Sequence, residues 1–278
     1  MTYSLAAILV ITPLFGFILY ELPFKLDFKV GMAVFAAVPT TLTSGVTLVL
    51  QAGGNGALAI MLTVCTNVIG IGTTPGWLKA IVRGSDASID AAKILIKLLL
   101  TILVPLCLGK GLRESSQKVQ NFVKNHKVSV GLTNNALLIM IVWMTISSGA
   151  SNIIDQSAGT VILVILTEII VHGCYLTLNF GATNALQLPK QEFRAVLLLA
   201  SQKTLPVAAT IITYLEMEGL NAGLMTLPCI MGHISQLLID SGIVSYWLHK
   251  DEKEKQTGGD AGDAGGAGAT IDHVAVKL

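Results

Sequence analysis

Two short polar patches carry most of the chemistry that this chain could perform. Thr41, Thr43 and Ser44 stand in Pro39-Thr40-Thr41-Leu42-Thr43-Ser44-Gly45, and Ser201, Gln202, Lys203 and Thr204 stand in Ala200-Ser201-Gln202-Lys203-Thr204-Leu205-Pro206. Hydroxyls, an amide and an ammonium set in apolar surroundings suit the binding of an ion or a small polar solute. Each patch leads through an apolar run to a second break, Gly53-Gly54-Asn55-Gly56 in one case and Glu218-Gly219-Leu220-Asn221 in the other. Helices interrupted by polar backbone at corresponding positions of two halves are the sequence-level pointer to a solute-binding site in a membrane. A bilayer tolerates unwound backbone only where protein or a wet cavity satisfies its N–H and C=O groups.

Further ionisable and amide groups lie in the apolar runs. Glu168 and His172 are four residues apart on one helical stretch, so they share a face and could form a proton-linked pair. His233 and Gln236 have helical spacing, with Asp240 near the same face as Gln236. Lys203 at mid-helix costs about 2.5–3.5 kcal/mol on insertion scales, so it is expected to be paired or functional. Plainer roles compete with each of these. The hydroxyls could bond backbone carbonyls and ease helix packing. Lys203 could snorkel to an interface; Glu168, His172, His233 and Gln236 could be satisfied core groups.

The elements that must position these residues are membrane helices. The 278-residue chain is 53% hydrophobic and 13% charged, with mean hydropathy +0.70, against about 25% charged in soluble domains. Candidate spans fall at about 3–22, 31–50, 57–78, 92–112, 129–148, 159–184, 193–216 and 222–248, each near the roughly 20 apolar residues that a bilayer requires. The Lys/Arg balance of the loops places both termini on the cytoplasmic side (or its organellar equivalent). Lys110, Arg113, Lys118, Lys124, Lys127, Lys190, Arg194 and Lys250 stand on that side, against Lys25, Lys29, Lys79, Arg83 and Lys93 on the other. Residues 1–248 are expected to form the transmembrane domain. Residues 249–278, rich in Gly, Ala and Asp, are expected to be a disordered tail. Cys65, Cys107, Cys174 and Cys229 lie in apolar runs without CxxC spacing, and read as buried thiols rather than a disulfide or metal set. Trp77, Trp143 and Trp247 read as interfacial anchors or packing. No basic-aromatic face suggests nucleic acid, and no HExxH or GxSxG appears, nor aspartates paired in adjacent spans.

The run from Gly45 to Thr63, with Gly-Gly-Asn-x-Ala-Leu-Ala, resembles the fourth and fifth helices of the bile acid:sodium symporter (BASS) family. Val104-Pro105-Leu106 with Gly109 is similar to that family's sixth helix. Ala200-Ser201-Gln202-Lys203-Thr204-Leu205 resembles the crossover ninth helix of its SBF-like branch, and His233 with Gln236 matches a His-x-x-Gln spacing in the tenth. The resemblance implies an all-α polytopic fold of inverted five-helix repeats with two crossed discontinuous helices, of which this chain would hold about eight of ten. It would begin at the third helix, as a truncated gene product would. The resemblance also implies a sodium site, and the chain departs from it. Ser44-Gly45 replaces a Ser-Asn pair, Ala59 stands for a hydroxyl beside Thr63, and Leu198 stands for a Glu ahead of Gln202. Without that carboxylate sodium is weakly held, and the Lys203 ammonium could take its place or titrate as part of proton coupling.

The sequence therefore implies a multi-pass secondary transporter of an organic anion or related metabolite. Its partners would be the lipid bilayer and that anion, with no cofactor and with sodium or proton coupling. Thr41, Thr43, Ser44, Asn55, Thr63, Ser201, Gln202, Lys203, Thr204, His233 and Gln236 are the expected ligands. A membrane regulator or scaffold that moves nothing is the alternative. The plasma membrane and a plastid envelope remain open, as does the oligomeric state.

Overall fold

A computed structural model describes residues 1–41, 43–82, 89–148, 150–217 and 219–260. Helices fill most of this range. α1 (Thr2–Tyr20) precedes a broken span made of α2 (Leu26–Ala37) and α3 (Ser44–Gln51). Then come α4 (Gly56–Ile81), α5 (Ala91–Ser115), α6 (Gln117–Asn125), α7 (Lys127–Ser148) and α8 (Ala150–Ile154). After these, α9 (Ala158–Ala185) leads to a second broken span of α10 (Lys190–Ser201) and α11 (Leu205–Met217), and α12 (Ala222–Asp260) ends the described chain. Among the described residues, six helical stretches are long and apolar enough to cross a bilayer. The expected all-α, multi-pass membrane architecture is the one observed.

The breaks form where the local chemistry asks for them. Val38 is extended (φ −70°, ψ 153°), because the ring of Pro39 disfavours the α-region for the residue before it. Gln202 is extended as well (φ −87°, ψ 154°). α11 then restarts with Pro206 in its first turn, where a missing N–H removes no helical bond.

α2 lies at the centre of the bundle, packed between α1 and α12. Gly31 is the point of closest approach, since a Cβ there would meet the Met225 carbonyl oxygen of α12, and the Cys229 thiol donates to Gly31 O at 3.3 Å. α5 lies outside the core. Only Ile94 and Leu98 of its first turns are buried, while Leu100, Leu106, Leu108 and Leu112 present an apolar surface suited to lipid.

α1 and α5 each carry a π-helical turn, at Ala7–Ile11 and Leu99–Leu103, and each turn is followed at the same spacing by a proline, Pro13 and Pro105. A proline ring displaces the carbonyl four residues earlier and supplies no N–H to it. For Pro13 that carbonyl is Leu9 O, and the Trp77 indole N–H donates to it at 2.8 Å. Trp77 therefore has a specific backbone partner in addition to its packing.

Two expectations need correction here. The thiols are all free, but only Cys229 is buried; Cys107 is exposed on α5. The last helix continues through Asp260, and its residue Asp251 is anchored, so order extends beyond the boundary expected at 249. Asp251 accepts both Arg194 guanidinium nitrogens at 2.7 and 2.8 Å and faces Lys190 Nζ at 2.7 Å. Arg83, Glu218, Leu42 and the tail after 260 lie outside the described residues.

Candidate functional site

The two breaks lie against each other. Four consecutive carbonyls of the first break (Ala37, Val38, Pro39 and Thr40) have no partner within a helix, and each finds a donor elsewhere. Thr74 Oγ1 donates to Ala37 O at 3.2 Å and Asn67 Nδ2 donates to Thr40 O at 3.1 Å, both from α4. The other two donors come from the second break. Lys203 Nζ donates to Val38 O at 2.9 Å and the Thr204 N–H to Pro39 O at 3.0 Å. In return, the Thr40 hydroxyl donates to Leu199 O at 2.6 Å.

Lys203 is 1% exposed, so it does not snorkel. Its ammonium also donates to Thr12 Oγ1 at 2.7 Å and stands 5.8 Å from the centre of the Tyr175 ring. Val38 O lies at the C-terminal end of α2, where the helix dipole favours a cation. The backbone of Lys203 is held separately. Its N–H donates to Gln236 Oε1 at 2.9 Å, and Gln236 Nε2 donates back to Lys203 O at 2.8 Å. One amide side chain from α12 thus replaces both hydrogen bonds that unwinding removes. The other Gln236 N–H reaches His233 Nδ1 at 2.8 Å, which makes that ring nitrogen the acceptor.

A second chain of hydrogen bonds ties four segments together. The Gly45 N–H donates to Thr41 Oγ1 at 2.8 Å, and the Thr41 hydroxyl donates to Gln202 Oε1 at 3.0 Å. Gln202 Nε2 donates to Asp240 Oδ2 at 2.5 Å, and Asp240 Oδ1 meets His172 Nε2 at 2.9 Å. His172 Nδ1 lies 3.3 Å from Ser201 O, and Ser201 Oγ accepts from Asn179 Nδ2 at 3.0 Å. Between these groups is a cavity of about 10 Å³ lined by Glu168, His172, Tyr175, Ser201, Lys203 and Gln236, close to the volume that admits one water.

The expected residues divide accordingly. Thr41, Ser201, Gln202, Lys203, Gln236 and His172 converge on the breaks. Thr204 joins through its backbone; its hydroxyl is buried without a partner, as are Thr63 Oγ1 and the neighbouring Asn67 Oδ1. His233 is half-buried beside Gln236. Asn55 is not among the residues that meet at the breaks. It caps α4 by accepting from the Leu58 N–H at 3.0 Å, while its own N–H donates to Gln191 O. Thr43 is exposed and Ser44 is half-buried at the start of α3. The Glu168–His172 pair does not form: His172 is taken by Asp240, and Glu168, 3% exposed, leaves Oε1 without a partner. Asp240, weighed from the sequence only as a neighbour of Gln236, is 0% exposed and bonds Gln202 and His172. Thr12, Asn67 and Asn179 were not singled out. Each is a polar residue within an apolar span, the signal that marked Glu168 and His172.

Residues 2–249 match the SBF-like CPA transporter family. The chain belongs to it. The resemblance drawn from residues 45–63 and 200–205 is thereby borne out. Among relatives of this SBF-like chain is the probable sodium/metabolite cotransporter BASS4, chloroplastic, of Oryza sativa subsp. indica, 35% identical over 263 residues, covering 90% of this chain and 62% of that protein. The protein of the same name from Arabidopsis thaliana is 33% identical over 257 residues (89% and 59%). Sodium/bile acid cotransporter 7 of Rattus norvegicus is 25% identical over 217 residues (77% and 63%). The chain thus spans about three fifths of the length of these relatives. Its family and its helices make it an integral, multi-pass membrane protein of a transporter family.

Proposed function

We propose that this chain forms the core of a secondary active transporter that moves an organic anion or related metabolite by alternating access at the paired breaks. It binds and releases its cargo without converting it. The observation that carries the reading is the Lys203 ammonium, buried in the row of first-break carbonyls and bonded to Val38 O and Thr12 Oγ1. The names of the relatives pair sodium with a metabolite or a bile acid. In this chain a fixed cation takes the position that a coupling sodium would need, with Leu198 buried and apolar on the preceding turn. Positive charge at the breaks favours an anionic cargo.

The test is uptake of a panel of radiolabelled organic anions (2-oxo acids, aromatic carboxylates and a bile salt) into proteoliposomes. Uptake of one or more is expected with potassium in place of sodium. Lys203→Gln is expected to lower it at least about tenfold, the size of one lost charge-assisted hydrogen bond. Uptake unchanged by Lys203→Gln would overturn the role of the ammonium. No uptake of any anion by the parent chain would favour a regulator or scaffold.

A further inference from the structure

The His172 ring imposes a condition on its own protonation. Nδ1 faces Ser201 O, a backbone carbonyl that only accepts, at 3.3 Å, so this contact needs a proton on Nδ1. Nε2 faces Asp240 Oδ1 at 2.9 Å, and without a proton between them two lone pairs would meet in a site where the side chains are 5% and 0% exposed. The proton cannot be replaced from the far side of the carboxylate, because Oδ2 already accepts from the Gln202 amide. The orientation of that amide is fixed in turn. Thr41 Oγ1 accepts the Gly45 N–H, which leaves its hydroxyl proton for Gln202 Oε1. With both contacts made as hydrogen bonds, the pair holds two protons, one more than a neutral imidazole and a carboxylate carry together.

We propose that His172 and Asp240 form the proton-binding site of this chain, and that the bound proton is the coupling ion. The proposal rests on the transporter reading and names its driving ion. A proton here clasps the second break from two sides, through Ser201 O and through Asp240 to Gln202, and reaches the first break through Thr41. Its loss leaves one ring nitrogen as a lone pair against an oxygen, and that contact opens. The site faces Glu168 and Tyr175 from its own helix, Lys203 from the second break and His233 from α12. α1 contributes Thr12 and, at its start, the Tyr3 hydroxyl on Asn179. Lys203 Nζ is bonded to Val38 O and Thr12 Oγ1 rather than to the pair. The proton adds one positive charge at the breaks. An anion and a proton therefore bind each other's site more tightly by the same factor, which is the requirement for symport.

The direct test is nitrogen NMR of the ¹⁵N-histidine-labelled chain in nanodiscs, with His172→Gln to assign the signal. The expected result is a His172 ring protonated on both nitrogens in the parent chain, as its two acceptor contacts require. Asp240→Asn, which removes the carboxylate facing Nε2, should leave the ring with one proton under the same conditions. A parent ring with one proton overturns the proposal, and so does a ring that keeps both protons in Asp240→Asn. The second arm uses sodium-free proteoliposomes. One unit of pH difference, acid outside, should concentrate a transported anion inside up to about tenfold at one proton per anion; uptake indifferent to the gradient overturns the coupling. If no anion in the panel moves, the transporter reading fails, while the NMR result still decides the proton site.

Discussion

The two breaks are built on opposite plans. The first presents acceptors: the carbonyls of residues 37–40 point at donors from α4 and from the second break. The second presents donors to the first, and has its own backbone held by a side chain of α12. Their exposure differs too. Gln202, Lys203 and Thr204 are at most 1% exposed, whereas the first break runs from buried Thr40 and Thr41 to exposed Thr43. The backbone of Lys203 in the second break is thus supported from outside the pair, and the carbonyls of the first are supported half by α4 and half by the second.

That dependence ranks the substitutions that would break the comparison. Gln236→Leu should do most damage, because it leaves the Lys203 N–H and C=O buried without partners. At about 1–3 kcal/mol for each group, a loss of roughly 2–6 kcal/mol is expected, read as a large fall in the thermal midpoint in nanodiscs. Gln236→Glu keeps the acceptor and should fall between Leu and the parent chain. Thr74→Val leaves one buried group of the first break, Ala37 O, without its donor, so it should cost about half as much, roughly 1–3 kcal/mol. A Thr74→Val cost equal to that of Gln236→Leu would refute the asymmetry. Thr43→Ala, at the exposed end of the first break, should change stability by less than about 0.5 kcal/mol. A larger effect would mean that this end is gripped by something in the assembled protein.

The placement of the breaks was legible because proline rules are local: Pro39 and Pro206 fix where α2 ends and where α11 begins. The spans were legible from hydropathy, and burial of Lys203 follows from where its span is interrupted. Partners across the bundle were not. Helical spacing puts Glu168 and His172 on one face, but says nothing of what that face meets, and the carboxylate that meets His172 comes from Asp240, far along the chain. The place of Asn55 was not legible for a different reason. An Asn before an apolar helical run is a common N-cap, and here its side chain caps α4.

The Trp77 indole on Leu9 O, donating where Pro13 has no N–H to offer, makes the order of change matter in the history of this chain. Replacing Pro13 first restores a backbone donor to Leu9 and leaves Trp77 free to vary. Replacing Trp77 first removes the carbonyl's side-chain donor while the proline still withholds the backbone one. Of the two routes to the same double substitution, only one avoids that intermediate, so lineages that have lost the tryptophan are expected to have lost the proline before it.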